Sequence, residues 1–326
     1  MNVHPMWDQY PDIKQDLKDM LNIIDANITL RDKKANKAIK NLLFSGGKLL
    51  RPAYFLMIAK TRADYNRDQI LHVAASLEVL HLASLIHDDI IDEASTRRGV
   101  STISNQFGTK YALYAGDYLF VVCFKILSNY AGSLSNIGVN TNTMERVLVG
   151  ELEQMNSRYN YDITIKKYLS QISGKTAGLF SLSCFLGSQL NGSTDKENLN
   201  ARRIGHYVGM AFQILDDILD YRGDALTIKK PALEDMKQGV YSLPLICAMN
   251  ENRIAFLPHL SEKEKMTEAN VSTVLSLVHR HGGIIKAQKL ADKYTERALG
   301  RIKKLPESTA KEQLLNITKS LLKRVD

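Results

Sequence analysis

The chain has 326 residues, of which 44% are hydrophobic and 24% are charged, and its formal net charge is +8. These values are typical of a soluble globular protein large enough for a sizeable core. The three cysteines are widely spaced and odd in number, which excludes a disulfide framework and a zinc pattern. We therefore expect a reducing compartment and core thiols at Cys123, Cys184 and Cys247.

The amino terminus has no basic region followed by an apolar run, and no stretch reaches ~18 uninterrupted apolar residues. We expect no signal peptide, no membrane span and a cytoplasmic location. Much of the positive charge lies in residues 286–324, where Lys and Arg alternate with apolar residues at helical spacing. Aromatic residues are sparse there, so a solvated amphipathic helix is a better interpretation than a nucleic-acid surface.

Apolar residues recur at three- and four-residue spacing along most of the chain and predict helices. The first is predicted over residues 8–32 and a second over 37–44, which ends at Gly46 and Gly47. A helical region is predicted from Arg51 to Glu93, and Pro52 is well placed as the first residue of a helix. Later helices are predicted over residues 111–130, 143–159, 165–189 and 197–221, then a polar loop over 222–238, and helices to the end. Almost no period-two alternation is present, so the fold is predicted to be all-α, with residues 1–326 in one domain.

Two stretches with the pattern Asp-Asp-x-x-Asp lie inside apolar helical runs. The first contains Asp88, Asp89 and Asp92, and the second contains Asp216, Asp217 and Asp220. Residues four apart share one face of a helix, so the outer two aspartates of each motif project together. Carboxylates this close raise one another's pKa, and burial acts in the same direction. Oxygen-only ligands of this kind favour Mg²⁺, which leaves room for phosphate oxygens, so we expect metals that bridge a diphosphate.

An ordered set of motifs extends this pattern over residues 40–250 and resembles the trans-isoprenyl diphosphate synthases, most of all the catalytic subunits of long-chain bacterial heptaprenyl and hexaprenyl enzymes. The motifs are Gly46-Gly47-Lys48-Leu49-Leu50-Arg51-Pro52, the first acidic motif with Arg97-Arg98-Gly99, Gly150-Glu151-Leu152-Glu153-Gln154, Lys175-Thr176-Ala177, Phe212-Gln213 with the second acidic motif, and Lys230-Pro231. The resemblance implies antiparallel helices around a deep apolar cavity, and a homodimer.

The resemblance also implies the chemistry. The two acidic motifs would face each other and hold Mg²⁺, typically three ions, on the diphosphate of an allylic substrate. Ionisation leaves an allylic cation, the double bond of isopentenyl diphosphate attacks it, and loss of a proton gives a product one isoprene unit longer. The resemblance assigns the isopentenyl diphosphate site to Lys48, Arg51, His81 and Arg98. It assigns the allylic diphosphate to Arg97, Lys175 and Lys230, and the reacting end to Thr176 and Gln213.

The length of the product is expected to depend on the depth of the cavity beneath the first motif. Ser84 lies one helical turn before Asp88, with Ala83 beside it, and such small side chains leave space for a growing tail. We therefore expect a long-chain product. Phe120 and Phe124 are candidates for a deeper floor. Val240 stands where many members of the family carry a second Lys, which also favours the long-chain group.

Other functions remain open at this point. A geranylgeranyl diphosphate synthase of the same family is the alternative within the reaction class. A metal phosphohydrolase would use His87 with Asp88 and further histidines, but the order of His72, His81 and His206 does not fit. A terpene cyclase typically has a different second metal motif. A non-catalytic subunit usually loses the aspartates, and a small regulatory subunit is a possible partner of an active chain.

Overall fold

The computed structural model describes residues 3–128, 145, 149, 157–222 and 232–323. The described chain is almost entirely helical, which confirms the all-α prediction. The helices are α1 Pro11–Asn27, α2 Lys33–Phe44, α3 Leu50–Ala59, α4 Arg67–Ile91, α5 Ile103–Phe107, α6 Thr109–Ser128, α7 Ile165–Ile172, α8 Gly178–Gln189, α9 Asp195–Leu219, α10 Ala232–Lys237, α11 Leu243–Met249, α12 Arg253–Leu260, α13 Glu268–Arg280, α14 Gly283–Ile302 and α15 Thr309–Leu322.

The chain divides into two compact units by the contacts between its α-carbons. The first unit comprises Met1–Asn140, Ser183–Ala201 and Leu305–Leu314, and the second comprises Thr141–Leu182, Arg202–Lys304 and Leu315–Asp326. The expectation of a single domain over residues 1–326 stays a prediction.

In the first unit, α4 is the central helix and packs against α1, α3 and α6. Its burial follows from its sequence, since apolar residues occupy most positions from Ile70 to Ile86. Trp7 is fully buried, and its indole Nε1 donates to the backbone oxygen of Lys48 at 2.8 Å. This bond ties the amino-terminal segment to the loop that precedes α3.

In the second unit, α11 packs against α13 and α14, and α12 packs against α13. Phe180 and Phe256 are fully buried there. The prediction of core thiols is confirmed for Cys123, Cys184 and Cys247 of the two units, which are all free and buried. Burial raises the pKa of Cys123 to about 12, so this thiol stays protonated at neutral pH.

Several predicted boundaries were wrong for local reasons. The first helix begins at Pro11 and ends at Asn27. The helical region expected from Arg51 to Glu93 is interrupted between α3 and α4, because the Asn66 side chain accepts from the Gln69 amide and caps a new helix. Helix α3 starts two residues before Pro52, after Leu49 in the left-handed conformation (φ +51°).

Two further differences concern loops. The polar loop expected over 222–238 contains α10 near its end. The helix expected over 143–159 lies mostly outside the described residues, and Ser157 to Tyr159 form a turn. A hairpin of two-residue strands, β1 Thr96–Arg97 and β2 Val100–Ser101, was not predicted, because strands this short cannot show an alternating pattern.

Two helices, α4 and α6, are long and apolar enough to cross a membrane by length and composition alone. The core helix of a globular protein satisfies the same test, and 67% of the most apolar window of α4 is buried inside the protein. The corresponding share for α6 is 39%, because large apolar side chains remain exposed along it.

Candidate active site

The first acidic motif lies in the last turn of α4, where its three aspartates have different environments. Asp88 is half-buried and Asp92 is exposed, and both lie on one face of the helix. Asp89 points inward with 2% exposure, and the Nε of Arg97 donates to its Oδ1 at 2.5 Å. Burial raises the pKa of Asp89, and the neighbouring Arg97 opposes this shift. The middle aspartate therefore anchors the hairpin, while the outer two point away from the core.

The hairpin places Arg97 and Arg98 beside the first motif. Arg98 (φ +51°) and Gly99 (φ +78°) both have left-handed backbones, as the two central residues of a type I′ turn require. The guanidinium of Arg98 lies against Gly47, where an added Cβ would come within 2.4 Å of Nη1. Gly47 therefore allows the loop before α3 to approach Arg98 closely.

A second cluster surrounds Arg51 on α3. Its Nη1 lies 3.0 Å from the Nε2 of His81, and Glu78 lies one turn before His81 on α4. Burial, followed by the charges of Arg51, Arg98 and Arg97, lowers the pKa of His81 well below its usual value. Burial raises the pKa of Glu78, and Arg51 and Arg98 both oppose this rise.

Sequence reasoning missed Glu78, although a carboxylate within an apolar helix three residues before a predicted ligand was a usable signal. Three of the four residues expected to bind isopentenyl diphosphate thus share this basic cluster around Glu78: Arg51, His81 and Arg98. Lys48 lies half-buried in the adjoining loop.

The residues expected to control chain length lie in the same part of α4. Ala83 is fully buried, whereas Ser84 is half-buried and its Oγ donates to the backbone oxygen of His81 at 2.8 Å. Phe124, a candidate for the deeper floor, is 42% exposed. The ring of Phe120 lies 5.6 Å from that of His87.

His87 faces α6, and this orientation argues against a metal phosphohydrolase, which would use His87 as a metal ligand. Its Nε2 is 3.2 Å from the backbone oxygen of Leu113 and 3.5 Å from Oδ1 of Asp117. An added Cβ at Gly116 would come within 2.3 Å of the same nitrogen. His87 therefore packs in a groove on α6, where its Nε2 is occupied.

The second acidic motif lies at the end of α9, on a helix with small residues along one stripe. Gly205, Gly209, Gln213 and Asp217 follow one another at intervals of four and share a face. A Cβ at Gly205 would lie 2.1 Å from the backbone oxygen of Phe180, and one at Gly209 would lie 2.5 Å from the Cα of Ala177. The glycines thus bring α9 against the segment that precedes and begins α8.

That segment, Ser173–Ala177, is a short π-helix, a feature frequent at functional sites. It carries Lys175, which is half-buried, and Thr176, which is buried. Thr176 Oγ1 donates to Oε1 of Gln213 at 2.7 Å. The close packing of α9 therefore brings together two of the residues expected at the reacting end of the allylic substrate. Lys230, expected to bind the allylic diphosphate, lies outside the described residues.

Asp217 continues this network. Its Oδ1 accepts from Gln213 Nε2 at 2.9 Å, and its Oδ2 accepts from the Tyr168 hydroxyl at 2.6 Å. Burial raises the pKa of Asp217 to about 7, although the bonds from Tyr168 and Gln213 act in the opposite direction. Asp216 is exposed and Asp220 is half-buried. The second motif therefore repeats the arrangement of the first, with a buried middle aspartate and an outward pair.

These donors fit Mg²⁺. Among the described residues, no three His, Cys, Asp or Glu side chains form a ready-made metal cage. Mg²⁺ does not require one, because it is usually held by one or two carboxylates together with waters and substrate phosphates. Each outward pair supplies two carboxylates on one helix face, which is the donor set that this coordination uses.

Comparisons with known proteins show which family the chain belongs to. The profile of the family described as "Polyprenyl synthetase" matches residues 32–278, which is most of the chain. The chain belongs to this family. The prediction of a prenyltransferase, made from the motifs, is therefore confirmed at the level of reaction class.

Three relatives illustrate the range of the polyprenyl synthetase family. Heptaprenyl diphosphate synthase component 2 of Geobacillus stearothermophilus is 35% identical over 289 residues, covering 88% of this chain and 89% of the relative. A crystal structure of geranylgeranyl pyrophosphate synthase from Lactobacillus brevis is 41% identical with a TM-score of 0.94, covering 98% of this chain and 99% of that chain. A polyprenyl synthase from Caulobacter crescentus, complexed with calcium and isoprenyl diphosphate, is 25% identical with a TM-score of 0.88, covering 96% of this chain and 95% of that chain. The family is Mg²⁺-dependent in general.

Proposed function

We propose that this prenyltransferase extends an allylic diphosphate with isopentenyl diphosphate to a long-chain polyprenyl diphosphate. The observation that carries the proposal is the repeated arrangement of the two acidic motifs. In each motif a buried middle aspartate is bonded inside the protein, and an outward pair of carboxylates remains on one helix face. Asp88 and Asp92 would hold metal in one motif, and Asp216 and Asp220 in the other.

Bound Mg²⁺ would supply Lewis-acid stabilisation of the charge that develops on the departing diphosphate. The basic cluster of Arg51, Arg98 and His81, with Lys48, would bind isopentenyl diphosphate in its anionic form. Arg97, Lys175 and Lys230 would hold the diphosphate of the allylic substrate. Thr176 and Gln213 would line the reacting end, and an apolar cavity would keep water from the cation.

When the C–O bond of the allylic diphosphate breaks, diphosphate leaves with the electron pair. The double bond of isopentenyl diphosphate then forms the new C–C bond. A proton lost to the departing diphosphate restores a double bond, so no protein base is required. The resemblance to the trans-isoprenyl diphosphate synthases implies about three Mg²⁺ ions, which the outward carboxylates and phosphate oxygens of the substrate would hold.

For the product, the small residues Ala83 and Ser84 and the heptaprenyl relative support a long chain. The Lactobacillus brevis structure supports the geranylgeranyl alternative. A single assay separates them: purified protein, Mg²⁺, farnesyl diphosphate and labelled isopentenyl diphosphate, with products sized by chromatography. A ladder that ends at long polyprenyl diphosphates supports the proposal, and a ladder that stops at geranylgeranyl diphosphate supports the alternative.

Matched variants test the assignment of the carboxylates. Replacing Asp88 or Asp216 with Asn should lower elongation by about 10³-fold or more while the fold is kept, because charge stabilisation in the transition state is lost. Asp68→Asn and Asp195→Asn, in the first turns of the same two helices, are the controls and should leave elongation unchanged. Normal turnover in Asp88→Asn or Asp216→Asn would contradict the proposal.

We also propose that the protein is a homodimer through α6, with a small regulatory subunit as a further partner. Large apolar side chains are exposed along α6, at Leu113, Tyr114, Val121 and Phe124. The name of the Geobacillus relative, a component 2, supports a second subunit. A cytoplasmic location stays a prediction.

The oligomeric state can be tested with a single substitution that introduces a charge on α6. Val121→Glu should convert the dimer to a monomer in light scattering, because Val121 is 64% exposed within the exposed apolar face. Ile254→Glu is the control, since Ile254 is 81% exposed on α12. A dimer that persists in Val121→Glu would place the interface elsewhere. If the purified chain makes no product alone, activity on addition of a small subunit would show the requirement for it.

A further inference from the structure

Tyr168 on α7 lies behind the second acidic motif and is not among the residues that sequence reasoning singled out. It is 4% exposed, and its hydroxyl donates to Oδ2 of Asp217 at 2.6 Å. Burial raises the pKa of Tyr168 well above its usual value, followed by the neighbouring charge of Asp217. The hydroxyl therefore keeps its proton and can act as a permanent donor to the carboxylate.

The bond belongs to a closed network. Tyr168 donates to Asp217, Gln213 donates to the other oxygen of Asp217, and Thr176 donates to Gln213. Tyr168 and Thr176 are joined by the chain through the rest of α7 and the π-helix, which also carries Lys175. The network thus links α9 on one side to the segment that runs from α7 into α8 on the other.

This network constrains the rotation of the last turns of α9. With both oxygens of Asp217 bonded inward, the helix is held at the angle that leaves Asp216 exposed and Asp220 half-buried. Gly205 and Gly209 allow the backbones to approach closely enough for these bonds, since a Cβ at either position would overlap the neighbouring segment. A side chain that fixes the inner carboxylate therefore also sets the direction of the outer pair.

We propose that Tyr168 is a positioning residue that holds Asp217 inward, so that Asp216 and Asp220 face outward as the metal-binding pair and Lys175 keeps its place relative to them. The proposal rests on the proposed function, because it assigns Asp216 and Asp220 to the metal. Tyr168 acts through Asp217 and touches neither metal nor substrate.

The test is Tyr168→Phe, which removes only the hydroxyl and retains the ring. Mn²⁺ binding in the presence of inorganic diphosphate, followed by electron paramagnetic resonance, should weaken about 10-fold, the lower end of the effect of losing a partner of a metal ligand, because Tyr168 acts on the ligands only through Asp217. The Mg²⁺ concentration for half-maximal elongation should rise in parallel, while the KM for isopentenyl diphosphate stays unchanged. Tyr161→Phe is the matched control, because it also removes a bonded hydroxyl, one that donates to the backbone oxygen of Leu260 at 3.0 Å.

A double-mutant cycle with Asp217→Asn tests whether Tyr168 acts through Asp217. Adding Tyr168→Phe to Asp217→Asn should weaken Mn²⁺ binding further by less than about 3-fold. If Tyr168→Phe does not fold, the comparison of Asp217→Asn with Asp216→Asn decides. Asp217→Asn should weaken Mn²⁺ binding less than Asp216→Asn does. Equal losses in Asp217→Asn and Asp216→Asn would make Asp217 a ligand and overturn the proposal.

Wild-type Mn²⁺ affinity in Tyr168→Phe would also overturn the proposal. The proposed function fails in a different way, because the wild-type protein would then give no elongation at any metal concentration, even with a small subunit added. The two failures are therefore distinguishable in the same set of measurements.

Discussion

Arg51 Nη1 lies 3.0 Å from Nε2 of His81, and this contact fixes the protonation of the imidazole. A guanidinium offers only donors, so Nε2 must accept and the ring must be neutral. Burial, with the charges of Arg51, Arg98 and Arg97, lowers the pKa of His81 in the same direction. The basic cluster therefore presents guanidinium charges toward an anion and keeps its imidazole uncharged.

A pH dependence of stability follows from the neutral His81. The unfolded chain takes up a proton at this histidine as the pH falls below about 6.5, whereas the folded chain does not. Titration of His81 therefore leaves the free energy of unfolding unchanged above about pH 6.5. Below that pH it lowers the free energy of unfolding, with a limiting slope of about 1.4 kcal/mol per pH unit. Urea unfolding of wild type and His81→Gln between about pH 7.5 and about pH 5.5 measures the difference. Identical slopes for the two proteins would contradict the prediction.

Glu78 is expected to offset the repulsion between Arg51 and Arg98. Replacing it with Gln keeps the shape and removes both the offsetting charge and the burial cost of the carboxylate, so the unfolding temperature without ligand should change little. Inorganic diphosphate supplies negative charge to the same cluster and should raise the unfolding temperature more in Glu78→Gln than in wild type. Thermal melts with and without diphosphate measure both effects. An equal rise in the two proteins would show that Glu78 does not offset these guanidiniums.

Gly47 and Gly46 are adjacent glycines with different roles. Gly47→Ala puts a Cβ within 2.4 Å of Arg98 Nη1, and because the guanidinium can shift, the fold should survive. The KM for isopentenyl diphosphate should rise about 10-fold, equivalent to about 1.4 kcal/mol. Gly46→Ala is the control: its φ of +93° makes alanine strained, but no atom lies within 4 Å of the added Cβ. It should reduce stability by about 1 kcal/mol and leave the KM unchanged.

The two small residues below the first motif should respond differently to enlargement. Ser84→Phe, at a half-buried site, should shorten the product while the fold is kept. Ala83→Phe should also shorten it, but at a cost of about 1–3 kcal/mol in stability, because Ala83 is fully buried and an added ring overpacks the core. Product sizing and thermal melts of both variants test this. An unchanged product from Ser84→Phe would place the floor of the cavity elsewhere.

Helical regions could be predicted because apolar spacing and turn residues are local signals. The prediction missed the break before α4, although Asn66 was a usable capping residue. It also missed the hairpin at Arg97 and Val100, because two residues a strand are too few to show a pattern. The positions of the site residues along the chain were readable from the motifs. Glu78 was missed although its place in an apolar helix three residues before His81 was a usable signal, whereas Tyr168 belongs to no spacing that identifies its role.

The helical class could be predicted from periodicity, and the reaction class from the resemblance of the ordered motifs to a known family. The six carboxylates were predicted from two copies of one spacing. Which carboxylate of each motif points inward depends on contacts that exist only in the folded chain. Asp89 is held by Arg97 on a hairpin, and Asp217 is held by Tyr168, 49 residues away in the chain. A helix fixes the angles between its own side chains, but its rotation toward the core depends on the partners that pack against it.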